Sequence, residues 1–233
     1  MFQRGVGLRH TGRAGVAALL IAVLLATVLT VRARGSEAGL CQRHATDAAT
    51  RSRIVTGAEP TAPTISVIGD SWSVGLGLDD LGKSWPSELP GRVRVAGFSG
   101  SGFSPGASHC GNRSFATRAA SARGADLVVV QGGLNDYDQP VADIRAGFRA
   151  LLTSLPGSRV VVVGPVAAPS RADAVGRVDA TLAELCAEYG VAYIDASAWS
   201  LSYLPDRLHL TQSGHESFGQ RVADELVARG LQG

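Results

Sequence analysis

Two stretches of this chain, Leu127-Val128-Val129-Val130 and Val160-Val161-Val162-Val163, are apolar at every position. A strand is apolar on consecutive positions only when both of its faces are buried, so these runs constrain the fold more than anything else in the sequence. Valine, branched at Cβ, favours the extended backbone over the helix. Three further β-rich runs accompany them: Thr64–Ile68, Arg92–Ala96 and Val191–Asp195. Helical patterns lie between and after. Val141 to Leu155 places Ile144, Phe148, Leu151, Leu152 and Leu155 on one stripe, and Arg177 to Tyr189 does the same with Val178, Leu182, Leu185 and Cys186. The last pattern, from about Gln212 to Arg229, carries Phe218, Val222, Leu226 and Val227. Five strands alternating with helices predict an α/β fold, a three-layer α/β/α domain around a five-stranded parallel sheet. Chemistry in such a fold is expected in the loops beyond the carboxyl ends of the strands.

That domain is expected over residues 64–233, and three segments precede it. Residues 1–13 are basic, with Arg4, Arg9 and Arg13; residues 14–31 carry no charge; residues 32–63 are rich in Ser, Thr, Ala, Arg and Gly and read as a tether. The uncharged run, as a helix, would rise about 27 Å against a bilayer core of about 30 Å. Two readings of this leader stay open: an uncleaved signal anchor, giving a single-pass protein of the cell membrane, or a signal peptide cleaved after Ala38, giving a secreted one. Both put the domain outside the cytoplasm.

Charge follows the same division. Residues 1–60 carry a net +5 and residues 61–233 a net −3, so the basic character belongs to the leader. The body has no basic stripe to follow a phosphate backbone, which argues against nucleic acid as a partner. Three cysteines are too few for a disulfide-built scaffold, and none lies in a Cys/His pattern, so neither a metal nor any other cofactor is expected. Cys186, on an apolar stripe, is expected to be a buried thiol. Cys41 and Cys110 are expected to pair as a disulfide outside the membrane. The domain is expected to act as a monomer.

Four short segments fall at strand ends or just before the last helix. They are Gly69-Asp70-Ser71, Ser99-Gly100, Gly132-Gly133-Leu134-Asn135-Asp136 and Asp206-Arg207-Leu208-His209. Each is common alone, since an Asp three residues before a His often only caps a turn. Their weight comes from sharing one edge of the sheet. A serine hydroxyl needs an adjacent base to become a nucleophile, and His209 supplies one for Ser71. Asp206 fixes the imidazole tautomer and steadies its charge. An oxyanion needs donors placed in advance: the Asn135 amide and the N–H groups of Ser71 and Gly100.

In this order and spacing the segments resemble the blocks of the SGNH (GDSL) hydrolase superfamily, over residues 64–229. The resemblance implies a flavodoxin-like SGNH fold and a serine esterase, lipase-like in class. It implies Ser71, Asp206 and His209 as the catalytic triad, and Ser71, Gly100 and Asn135 as the oxyanion hole. One departure is visible. The family often has Asn shortly before its Ser-Gly pair, where this chain has Val95-Ala96-Gly97-Phe98. The expected activity is hydrolysis of carboxylic esters, of short acyl groups because no large lid insertion interrupts the domain. The expected substrates are small-molecule, glycan or lipid esters of the cell envelope. An acyltransferase, passing the same acyl group to a sugar or lipid hydroxyl, fits the same residues. A phosphate-cradling loop over residues 69–77 is disfavoured, because it lacks the G-x-x-x-x-G-K-[ST] pattern.

Other candidates are set aside on chemistry. Gly102-Phe103-Ser104-Pro105-Gly106 matches a G-x-S-x-G elbow, but Pro105 has no N–H to offer an oxyanion. His215 reads as a surface or packing histidine, and His109 as one that could reach a substrate but has no partner in sequence. Trp85-Pro86 is expected to anchor a short helix, and Asp70 and Asp136 to brace their loops.

Overall fold

Every strand end that carries a candidate residue finishes at the same level. The computed structural model, which describes residues 22–23, 35–57 and 59–231, contains a five-stranded parallel sheet in the order β2-β1-β3-β4-β5. The strands are β1 (Thr64–Gly69), β2 (Arg92–Gly97), β3 (Leu127–Gln131), β4 (Val160–Val163) and β5 (Ala192–Ile194). Gly69 pairs with Gly97 on one side and with Gln131 on the other, Gln131 with Val163, and Val163 with Ile194. The chain leaves β1 for β2 on one side and returns to β3 on the other. That reversal opens a crevice at the carboxyl ends of β1 and β3, where such sheets hold their ligands.

The all-apolar strands split their side chains between two cores. Ile65, Val67, Val129 and Val161 face Trp72, Trp85, Phe218 and Val222. Ile68, Val128, Val130 and Val162 face Phe103, Phe115, Phe148 and Leu182 on the other side. The first core is closed by α5 (Gln212–Ala228), the second by α3 (Val141–Thr153) and α4 (Ala172–Tyr189). Full burial of one such large side chain contributes about 1.5–3 kcal/mol. The three-layer α/β/α arrangement is therefore present as expected. Helix α4 begins five residues before the apolar stripe, because Ala172-Asp173-Ala174-Val175-Gly176 adds a first turn with one buried side chain, Val175.

The segment read as an irregular tether differs more. Residues 35–53 are helical, α1. Its many alanines favour the helix strongly, and the lack of large apolar residues that suggested a tether hides how it is held. Arg51 is fully buried and donates from Nε to Ser84 Oγ (3.0 Å) and from Nη1 to the Ile54 carbonyl (3.1 Å). Burial lowers its pKa to about 10.

The chain forms two compact units, Met1–Gln42 and Arg43–Gly233. Of the first, the described residues 22–23 and 35–42 are helical. Residues 1–13 and most of the 14–31 run lie outside the described residues. Among those described, no helix is long and apolar enough to cross a membrane. Cys41 and Cys110 are each disulfide-bonded and Cys186 is a free, buried thiol.

Candidate active site

β1 ends at Gly69, and the chain turns at once into α2 (Ser71–Val74), a single helical turn. Asp70 caps that turn by accepting from the Trp72 N–H (2.9 Å). Behind it stands a buried polar chain. Ser84 Oγ donates to the Ser73 carbonyl (3.1 Å), Trp85 Nε1 to Ser73 Oγ (3.1 Å), and Ser73 Oγ to Gln131 Oε1 (2.7 Å). Ser71 is thereby fixed at the crevice with little freedom to move.

From the other end of the sequence the 203–210 loop folds back over this turn. The Leu204 N–H donates to the His209 carbonyl (2.7 Å) and the Arg207 N–H to the Leu204 carbonyl (2.9 Å). The bend needs a left-handed residue, and Arg207 takes φ 60°. That conformation lets Asp206 Oδ1 accept from the N–H groups of both Leu208 and His209, each at 2.9 Å. Its Oδ2 is 2.6 Å from His209 Nδ1. His209 Nε2 then lies 3.2 Å from Ser71 Oγ, across 138 positions of sequence. Trp72 Nε1, donating to the Leu208 carbonyl (3.1 Å), ties the two halves together. Burial works to raise the Asp206 carboxyl, but the His209 ring and the two backbone N–H groups hold it below the usual range.

The second and third loops hold N–H groups with no partner among the described residues. Among the described residues, no hydrogen bond within the protein uses the N–H of Ser71 or of Gly100. Gly100 has φ +82°, a conformation that favours glycine. Asn135 follows β3 in the 3₁₀ turn Leu134–Asp136, and its Nδ2 donates to the Ser101 carbonyl (2.9 Å). One amide N–H of Asn135 stays uncommitted.

The brace of the second loop, where the family's asparagine is missing, comes from a residue the sequence reading did not single out. Arg118, in the 3₁₀ stretch Phe115–Ala122, reaches under the loop. Its Nη2 donates to the Gly69 carbonyl (3.1 Å) and Ser101 Oγ (2.8 Å), and its Nε to the Ala96 carbonyl (2.9 Å). One guanidinium thus joins the ends of β1 and β2 to the loop that carries Gly100. Burial lowers its pKa to about 10, with the Asp70 charge working against the fall.

Asp136 joins the second and third loops. Its buried carboxyl accepts from the N–H of Phe103 (2.9 Å) and of Ser104 (2.8 Å). Burial raises its pKa to about 6, and raises that of Asp70 to about 7. Both therefore brace loops, as expected. Ser104 Oγ donates to Gln139 Oε1 (3.1 Å), and among the described residues no histidine hydrogen-bonds to it. His215 is fully buried, its Nδ1 accepting from the Trp85 N–H (3.3 Å), and burial lowers its pKa to about 4. His109 and Arg171, the latter in the loop after β4, line a cleft beside Gly100 and Asn135. Arg171 was not a candidate, since a lone arginine in a loop carries no signal in sequence.

The family model for the GDSL-like lipase/acylhydrolase family matches residues 67–216. The chain belongs to that family. It is thus a hydrolase of the GDSL type. Among curated proteins no sequence matches it. Solved structures resemble its fold. A lipase/acylhydrolase from Enterococcus faecalis superposes with a TM-score of 0.58 at 20% identity, covering 72% of this chain and 96% of its own. A carbohydrate acetylesterase from Sinorhizobium meliloti gives 0.57 at 18%, covering 72% and 99%. An aryl esterase from M. smegmatis gives 0.54 at 19%, with the same coverage.

Proposed function

We propose that the protein hydrolyses carboxylic esters of short acyl groups through an acyl-enzyme, with Ser71, His209 and Asp206 as its triad. The observation that carries this is His209, with Asp206 Oδ2 at 2.6 Å from one ring nitrogen and Ser71 Oγ at 3.2 Å from the other. As Ser71 Oγ bonds to the ester carbonyl carbon, its proton passes to His209 Nε2 and Asp206 steadies the imidazolium. The oxyanion is met by the N–H groups of Ser71 and Gly100 and by the Asn135 amide. His209 returns the proton to the leaving alcohol as the carbon–oxygen bond breaks. A water, deprotonated by the same histidine, then releases the acid.

We place this activity outside the cytoplasmic membrane. The leader sequence supports that reading, and so do the disulfide-bonded Cys41 and Cys110, because cytosolic thiols are kept reduced.

The test is a pair of substitutions. Ser71→Ala and His209→Ala should each remove nearly all hydrolysis of an aryl acetate, and the double variant should lose little more, because the two act as one unit. Losses that multiply would refute the triad.

A further inference from the structure

An ester poised for attack by Ser71 points its carbonyl oxygen at Gly100 and Asn135 and its leaving oxygen at His209, which must protonate it. The acyl substituent therefore leaves the reaction centre on the side away from His209. A cleft opens beside the proposed oxyanion donors, with Gly100 and Asn135 in its wall and neither Asp206 nor His209. Its lining is mixed: His109, Asp138, Gln139 and Arg171 are polar, Tyr137 offers an aromatic ring, and an alkyl chain would meet only Ala107 as an aliphatic side chain.

Charge narrows the class of acyl group. The Arg171 guanidinium lies over the Tyr137 ring, its Cζ 3.5 Å from the ring centroid. Among the described residues it makes no hydrogen bond or ion pair, so its fork of donors is unoccupied. The neighbouring arginines are used otherwise: Arg118 donates to five acceptors, the Gly69 and Ala96 carbonyls among them, and Arg177 donates to the Tyr137 carbonyl (3.0 Å). The one carboxylate in the cleft, Asp138, accepts from the Gln139 amide (2.8 Å) and does not pair with Arg171. A planar guanidinium with free parallel N–H groups matches a carboxylate in two-point fashion.

We propose that this cleft is the acyl pocket and that it selects acyl groups ending in a carboxylate, the half-esters of short dicarboxylic acids, with Arg171 binding the free carboxylate. The inference rests on the ester-hydrolase reading and names the substrate class for that site. Asp138 opposes the incoming charge, so the selectivity depends on Arg171.

The experiment uses the full chain at neutral pH and follows methanol release from two esters of equal length. Monomethyl succinate ends in a carboxylate; methyl succinamate ends in a neutral amide. The wild type should favour the succinate by about tenfold or more in kcat/KM, the scale of a hydrogen-bonded charge pair. Arg171→Gln should bring that ratio down to one or below, chiefly through KM of the charged ester, and Asp138→Asn should raise it. A wild-type ratio at or below one overturns the proposal, as does a ratio that Arg171→Gln leaves unchanged. So does turnover of aryl acetate with no turnover of either methyl ester. If none of the three esters is hydrolysed, the ester-hydrolase reading fails first, and the two failures are told apart.

Discussion

Asn135 gives one amide N–H to the Ser101 carbonyl and, in the proposed mechanism, the other to the oxyanion. A donor that matters only when charge develops leaves substrate binding almost untouched. Asn135→Ala is therefore expected to lower kcat by about 10²–10³ with little change in KM, measured on a short-chain aryl ester. An effect on KM alone would move Asn135 from the oxyanion to substrate binding. The buried carboxyls make a different prediction. Asp70 and Asp136 have pKa values raised by burial from 3.8 to about 7 and about 6, so the folded chain keeps protons that the unfolded chain releases. Their contribution to stability is complete below pH 3.8 and is lost as pH rises through about 6 to 7. Urea midpoints taken between pH 4 and 8 should show this decline. Asp70→Asn, which keeps an acceptor for the Trp72 N–H, should flatten it; an unchanged slope would contradict the raised pKa.

Among the elements, β3 and β4 were legible because burial on both faces leaves an unbroken apolar run, and three of the site blocks because each follows a β-rich run; the fourth, Asp206–His209, was placed by the helical pattern after it. What escaped the sequence were long-range polar bonds. Arg118 lies 49 positions from the carbonyl of Gly69 it grips, and Arg51 lies 33 from Ser84. Neither has a periodic partner to betray it, and α1 was invisible for the same reason: it carries a buried arginine and no apolar stripe. The Arg118 brace should show in kinetics. Arg118→Met should lower kcat by about 10²-fold, the scale of a small misplacement of reacting groups, with KM little moved. Arg118→Lys should recover part of the loss. Equal activity in all three proteins would reduce Arg118 to a purely structural residue.

For the molecule as a whole, cysteine chemistry reports on compartment and core together. Cys186 sits in the second core, where burial raises its thiol to about 12 and makes it inert. In protein taken from the cell envelope without reductant, alkylation should label neither Cys41 nor Cys110, and should reach Cys186 only after denaturation. Free labelling of Cys110 would remove the disulfide and one support for export. The topology has a consequence in time. Ser71 leaves the ribosome early, with the first strand, while His209 arrives after the last strand and is seated as α5 packs its Phe218 against Trp72 and Trp85. In the proposed mechanism the nucleophile and its base therefore come from opposite ends of the domain, and a chain stays chemically silent until its final helix docks, in whichever compartment it folds.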